Sequence, residues 1–345
     1  MVVDERIRLI LRFVVIGAVI GAGYGYWTSI AAAAGLRGLI RGALTGGLIG
    51  GAVTSLRVFV LQAPGTRLAR ASFMVTVAVR SLVYLVVFLA AIAIGQLLLP
   101  LHPPARSVSI SHDDVLFCFG ANFVVSFLFE VNSLLGQNVL LSFVTGRYYR
   151  PRVEQRVFLI MDMKNSTAAA ERLGEIDFHR LLNRLVTDLS GPIVLHDGQI
   201  HKYVGDELIA TWPLARGLND ATCVRACFAA FARLVAHGAD YEREFGAAAQ
   251  VRASLHCGSV VVGEMGSVKK EIALLGDTLN TAARLVDACR DSGEAVIASA
   301  DLLDRLVLPP GIAARSMGLI RLRGKEQAIG LYALVPPTPD THGRF

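Results

Sequence analysis

Apolar residues follow two regimes along this 345-residue chain. Up to about residue 145 they form long runs broken by few charges, and beyond Arg147 they form short runs between mixed polar segments. Four runs make up the first regime: Phe13 to about Ala34; Gly42 to Leu61, with Arg57 near its end; Ser81 to Leu99, just after Arg80; and a run from Val115 that meets Glu130 after fifteen uncharged residues. A hydrocarbon core of about 30 Å needs on the order of 20 helical residues. The pattern therefore predicts an N-terminal, all-α transmembrane anchor of four helices over residues 1–146.

The second regime has shorter periods. "VFLIMD", Val157 to Asp162, is an apolar run ending in an acid, which suits a buried strand with a carboxylate at its C-terminal edge. A segment of helical spacing follows, with Asn165 or Ser166 as its cap. "GQIHKYVGDELIATW" then predicts two strands around a tight turn at Val204 to Glu207. Next come a helix from Asp220 to about Phe245, two strands on either side of Gly258, a turn entering the helix of "LGDTLNTAARLVDACR", and a terminal hairpin in "IRLRGKEQAIGLYAL". Alternating strands and helices predict an α/β sandwich with a helix-covered sheet over 157–335. Residues 147–156 are expected to be a short linker, and the Pro-rich segment 336–345 a frayed tail. The expected fold class is thus α+β, with the membrane helices preceding a separate α/β sandwich.

Composition fits this division. The chain is 53% hydrophobic and only 18% charged, with a formal net charge of +6. Arg6, Arg8 and Arg12, then Arg67 and Arg70, then Arg147, Arg150 and Arg152 flank the apolar runs. In a four-helix topology these groups share one side, which the positive-inside rule makes cytoplasmic; Arg37 and Arg41, in the expected first outer loop, run against it. The expectation is a multi-pass protein of the plasma (cell inner) membrane with its polar half in the cytoplasm. Flanking basic residues account for the positive charge, so a lipid bilayer, and no nucleic acid, is the expected partner. Glycines 42, 46 and 50 have the small-xxx-small spacing that lets helices approach within a chain or between chains, although glycine is common in membrane helices anyway. The five cysteines include no CxxC pair, and Cys223 and Cys227, one turn apart, read as core positions on a helix face.

Asp162 at a strand end and Asp206 at a hairpin tip are the candidate chemistry. Two carboxylates brought together repel unless a divalent cation lies between them, and hard oxygen ligands suit Mg²⁺ or Mn²⁺. Alternatively, Asp206 only shapes a Gly-Asp turn.

Four ordered motifs carry a resemblance: "FLIMDMKNST", "KYVGDE", "VRASLHCGSVVVG" and "LGDTLNTAARL". From about Arg152 to Leu334 the chain resembles the catalytic domain of class III nucleotidyl cyclases, the adenylyl and guanylyl cyclases. The resemblance implies a ferredoxin-like core and a phosphorus-oxygen lyase that forms 3′,5′-cyclic AMP and pyrophosphate from ATP in signal transduction. It implies that Asp162, Asp206 and the backbone carbonyl of Met163 hold two metal ions, Mg²⁺ or Mn²⁺, per active site. Lys202 matches the residue that reads the purine, and as lysine it points to ATP over GTP. Asn280 and Arg284 match the pair that orients the ribose and stabilises the transition-state phosphate, and Lys325, with Arg323 beside it, the contact to the terminal phosphates. Each site is expected to be shared between two copies in a homodimer. One position departs: Ala273, three before Gly276, stands where an Asp or Thr commonly makes the second purine contact. Guanylyl or mixed purine specificity, or an inactive cyclase-like domain in a membrane receptor or scaffold, are the alternatives. A diguanylate cyclase, prompted by "VGDEL", fits less well because "LGDTLNTAAR" belongs to the other family.

Overall fold

The structure is a computed structural model that describes residues 2–29, 35–56, 73–99, scattered positions from 112 to 136, 139–322 and 327–335. It divides into two compact units, Met1–Leu134 and Leu135–Phe345.

The first unit holds α1 (Val2–Ser29), α2 (Gly35–Leu56) and α3 (Phe73–Leu98). Each contains a stretch long and apolar enough to cross a membrane: Ile10–Ser29, Gly35–Leu56 and Ala78–Leu98. Four spans were expected, and three are present among the described residues; the run from Val115 to Glu130 lies largely outside them. The second helix begins before the apolar run does, so Arg37 and Arg41 sit in its first two turns and not in a loop. Arginine is a good helix former, and its long stem lets a charge reach the interface from a helix end.

The regular glycines hold α1 against α2. A Cβ added at Gly42 would lie 2.0 Å from the carbonyl oxygen of Gly21, and one at Gly46 would lie 2.0 Å from that of Gly17. At Gly50 the carbonyl oxygen of Phe13 would be 2.1 Å away. Only a missing side chain permits this approach, so the small-residue stripe is spent on pairing inside the chain. Helix α3 adds a small apolar cluster of Tyr84 and Phe88 with Val53 of α2.

The second unit opens with the short α4 (Val139–Val144) and is built on one mixed sheet. Its strands are β1 (Arg152–Met163), β2 (Gln199–Val204), β3 (Glu207–Pro213), β4 (Val251–Met265), β5 (Glu271–Leu275), β6 (Val296–Ser299), β7 (Ala313–Ile320) and β8 (Ile329–Val335). The order is β2-β3-β1-β4-β6-β8-β7, with β5 pairing β4 off this path. Helices α5 (Ser166–Leu173), α6 (Glu175–Leu195), α7 (Leu214–Leu218), α8 (Thr222–Ala236), α9 (Gly238–Phe245), α10 (Asp277–Ser292) and α11 (Ala300–Leu303) complete it.

Strand β1 explains its own sequence. Val157, Leu159, Met161 and Met163 enter a core with Leu185 and Leu189 of α6 and Cys223 and Cys227 of α8. Phe158 and Ile160, on the alternate face, join a second core with Ala282 and Val286 of α10. A strand covered on both faces needs a continuous apolar run rather than alternation.

Several boundaries differ from the sequence expectation. Strand β1 starts at Arg152, opposite Val262 of β4, so residues 152–156 belong to the sheet and not to a linker. The two strands expected around Gly258 are one 15-residue strand. Gly258 serves packing instead: a Cβ there would lie 2.6 Å from Oγ1 of Thr278, whose hydroxyl donates to the Ser259 carbonyl at 2.7 Å and seats α10 on β4. Asn165 turns into α5 with φ 56° and makes no side-chain cap bond. The long helix after Asp220 is broken at His237 into α8 and α9. Short β6, parallel to β4, had no distinct signal in the sequence.

Candidate active site

Strands β2 and β3 are joined through Gly205 and Asp206, with Val204 opposite Glu207. Gly205 has φ +62°, so the turn needs glycine at its first central position, and that geometry matches the twist of the flanking strands. Because β3 pairs β1 with Asp162 opposite Glu207, the turn brings Asp206 to the C-terminal end of β1. The two aspartates are close enough for the charge of Asp206 to act on the Asp162 carboxyl group.

Asp162 is only 7% exposed. Its Oδ2 lies 3.5 Å from Nε of Arg252, the residue opposite it on β4, and 3.5 Å from Nη2 of Arg290 on α10. These separations are those of ion pairs, not hydrogen bonds, and Oδ2 is buried with no hydrogen-bond partner, as are Nε and Nη1 of Arg252. Burial, and then the charge of Asp206, raise the Asp162 pKa, while Arg252 and Arg290 oppose the rise. Glu207 is pushed up to about 7 by burial and by Asp162, Asp206 and Asp287. Excess negative charge with an unsatisfied buried carboxylate oxygen is the chemistry a hard divalent cation completes, so the residues fit such a group. Among the described residues no cluster of three or more His, Cys, Asp or Glu is arranged as a metal site. Two carboxylates are therefore a partial ligand set, which further oxygens must complete. Met163, the last residue of β1, is buried beside Asp162 in sequence.

Lys202 lies on β2 just past an irregularity at His201, a half-buried residue whose pKa falls to about 4 through burial and then the charges of Lys202 and Arg156. The exposed Lys202 ammonium donates to Oε1 of Glu271 at 3.1 Å, and this bond lowers the Glu271 pKa. Glu271 reaches β2 because Ile272 and Leu274 of β5 join the core of Phe158, Ile160 and Ile209, which lays β5 over that face of the sheet. Ala273 is buried at 5% exposure and offers only a methyl group.

Asn280 and Arg284 are four apart on α10 and so share one helix face, with Asn280 exposed and Arg284 half-buried. Among the described residues no hydrogen bond or ion pair connects either of them to Asp162 or Asp206. Lys325 and Arg323 lie outside the described residues. The structure thus brings together Asp162 with Asp206, and it joins Lys202 to a residue the sequence reading missed, Glu271. Arg252 and Arg290 were also missed. Arg252 was legible once β1 and β4 were aligned antiparallel, and Glu271 from its place two residues before Ala273 on one strand.

The described residues thus present paired carboxylates at strand ends, a lysine–carboxylate pair between β2 and β5, and an Asn–Arg pair on the helix after β5. Residues 149–335 match the adenylate and guanylate cyclase catalytic domain, and the chain belongs to that family. The sheet and its helices are accordingly the class III cyclase α/β domain. Over 210 residues the chain is 38% identical to adenylate cyclase 2 of Rhizobium meliloti (strain 1021), a match covering 61% of this chain and 58% of that protein. It is 25% identical over 180 residues to adenylate cyclase 1 of the same organism, covering 51% of this chain and 27% of that protein. The chain therefore spans less than two thirds of the length of these relatives. A solved bacterial light-regulated adenylyl cyclase shares the fold, with a TM-score of 0.53 at 19% identity over 65% of each chain.

Proposed function

We propose that this chain is an adenylyl cyclase, anchored by its apolar helices in the plasma membrane with the catalytic unit in the cytoplasm, that converts ATP to 3′,5′-cyclic AMP and pyrophosphate. The observation that carries this reading is the Asp162–Asp206 pair, in which a buried carboxylate oxygen has no hydrogen-bond partner. Asp162, Asp206 and the Met163 carbonyl would hold two divalent ions, Mg²⁺ or Mn²⁺. Such ions, when bound, lower the pKa of the ribose 3′-hydroxyl and neutralise the triphosphate.

The chain's own groups bind and orient the substrate. The 3′-oxygen forms a bond to the α-phosphorus as the bond from that phosphorus to the bridging oxygen breaks; the hydroxyl gives up its proton to solvent water, and pyrophosphate leaves with the electron pair. Arg284 offers a planar fork of donors to charge building on the α-phosphoryl oxygens, and Asn280 orients the ribose from the same helix face. Lys202 donates to the purine edge. Lys325 and Arg323 are assigned to the terminal phosphates. No protein nucleophile is required.

Two copies complete the machinery. Asn280 and Arg284 have no link to the aspartates of their own chain, and a closed two-fold pair would present the α10 face of one protomer to Asp162 and Asp206 of its partner. The test is turnover by the purified full-length chain with Mn²⁺ and ATP or GTP. Cyclic AMP is the expected product; a folded dimer that makes none overturns the proposal.

A further inference from the structure

Position 273 cannot bind a polar edge, yet the neighbouring Lys202 is held by a carboxylate from the same strand. Side chains alternate along a strand, so Glu271 and Ala273 share one side of β5 while Ile272 and Leu274 enter the core. Two positions span about 7 Å of strand, and glutamate is long enough to bring its carboxylate beside the Lys202 ammonium. The side chains of the pair remain accessible, at 44% for Lys202 and 32% for Glu271. Glu271 accepts from Lys202 at Oε1, and an ionised carboxylate accepts at both of its oxygens.

We infer that Glu271 is the second purine-reading residue, taking over from β5 the task that the methyl group of Ala273 cannot perform. The inference rests on the adenylyl cyclase reading above. The adenine edge presents an acceptor, the ring nitrogen N1, beside a donor, the exocyclic amino group. Lys202 donates to N1, and Glu271 accepts from the amino group. Guanine reverses this order, with an oxygen at position 6 and an N–H at position 1, so it would set its oxygen against the carboxylate and its N–H against the ammonium. Glu271 is therefore a specificity residue, and the Lys202–Glu271 ion pair is the preassembled form of the reader.

The test separates contact with the amino group from mere support of Lys202. The full-length chain and its Glu271→Ala and Glu271→Gln variants are titrated calorimetrically, in Mn²⁺, with 3′-deoxyadenosine triphosphate and with its counterpart bearing unsubstituted purine. Neither ligand can cyclise, and the second lacks only the amino group. Wild type is expected to prefer the adenine ligand by about tenfold to a hundredfold. Glu271→Ala should bring that ratio to near one by weakening the adenine ligand alone, and Glu271→Gln, which keeps an acceptor oxygen, should retain part of it. Equal weakening of both ligands would mean that Glu271 only positions Lys202, and would overturn the inference, as would an unchanged ratio or failure of wild type to bind either. Turnover of ATP by wild type is scored separately: binding with the expected ratios but without cyclic AMP rejects the cyclase reading and not the purine contact.

Discussion

The chain has two tryptophans, one in each unit, and they occupy opposite environments. Trp27 on α1 is 77% exposed, whereas Trp212 on β3 is fully buried and donates its indole N–H to the His196 carbonyl at 2.8 Å. The contrast extends to their neighbours. In the first unit large apolar side chains such as Val15, Val19 and Leu36 point outward, and glycine backbones meet at the helix contact. In the second unit large side chains fill the interior and most charges lie outside, with Asp162 and Arg252 among the buried exceptions. Water sorts side chains by polarity; a hydrocarbon surrounding does not, so helices there associate through close fit rather than through removal of apolar surface from solvent. A high apolar content therefore says little until the solvent of each segment is known.

The comparison can be broken at defined positions. The largest effect is expected from Asp206→Ala, which should lower cyclic AMP production on the order of a thousandfold, since metal-borne charge stabilisation is worth several kcal/mol. Its thermal midpoint without divalent cations should not fall, because the variant relieves the repulsion that raises the Asp162 pKa. The sign follows from linkage. The folded chain keeps the Asp162 proton to higher pH than the unfolded chain does, so stability falls as pH rises above the ordinary aspartate range, and removing Asp206 reduces that fall. A parallel loss of activity and midpoint would assign Asp206 a structural role.

Next in size, Trp212→Ala should destabilise the catalytic unit by about 3–5 kcal/mol, read from its denaturant midpoint. Gly46→Val should cost about 1–3 kcal/mol in detergent-titration midpoint, because its Cβ must displace the Gly17 carbonyl, while Gly23→Val, with nothing within 4 Å, should be neutral. Equal effects at the two glycines would refute the α1–α2 contact. The smallest change is spectroscopic: in vesicles containing brominated lipids, the emission of Trp27 in a Trp212→Phe variant should be quenched and that of Trp212 in a Trp27→Phe variant should not.

Much of this architecture was readable in one dimension, and the reasons differ by element. The apolar runs announced α1 to α3 because the span of a bilayer sets a minimum length. "VFLIMD" announced β1 because burial on both faces demands an unbroken apolar run. "KYVGDE" announced its turn because Gly205 must take a positive φ. Gly258 misled for the same kind of reason, since a glycine within a strand reads as a turn until the helix lying across it is known. The start of α2 was missed because helix propensity continues through Arg37 and Arg41 where apolar character does not.

For the site, Asp162 and Asp206 could be singled out by residue type and place, whereas Lys202, Asn280 and Arg284 were implied by the resemblance that the ordered motifs carry. Those properties are local, fixed by side-chain chemistry and by the few residues on either side. What only the tertiary structure decided was who meets whom: Arg252 and Arg290 on Asp162, and Glu271 on Lys202 across 69 positions of chain. Such meetings depend on strand register and on how one strand is laid over a sheet, and these are set by the sum of many apolar contacts. No single stretch of sequence carries that sum.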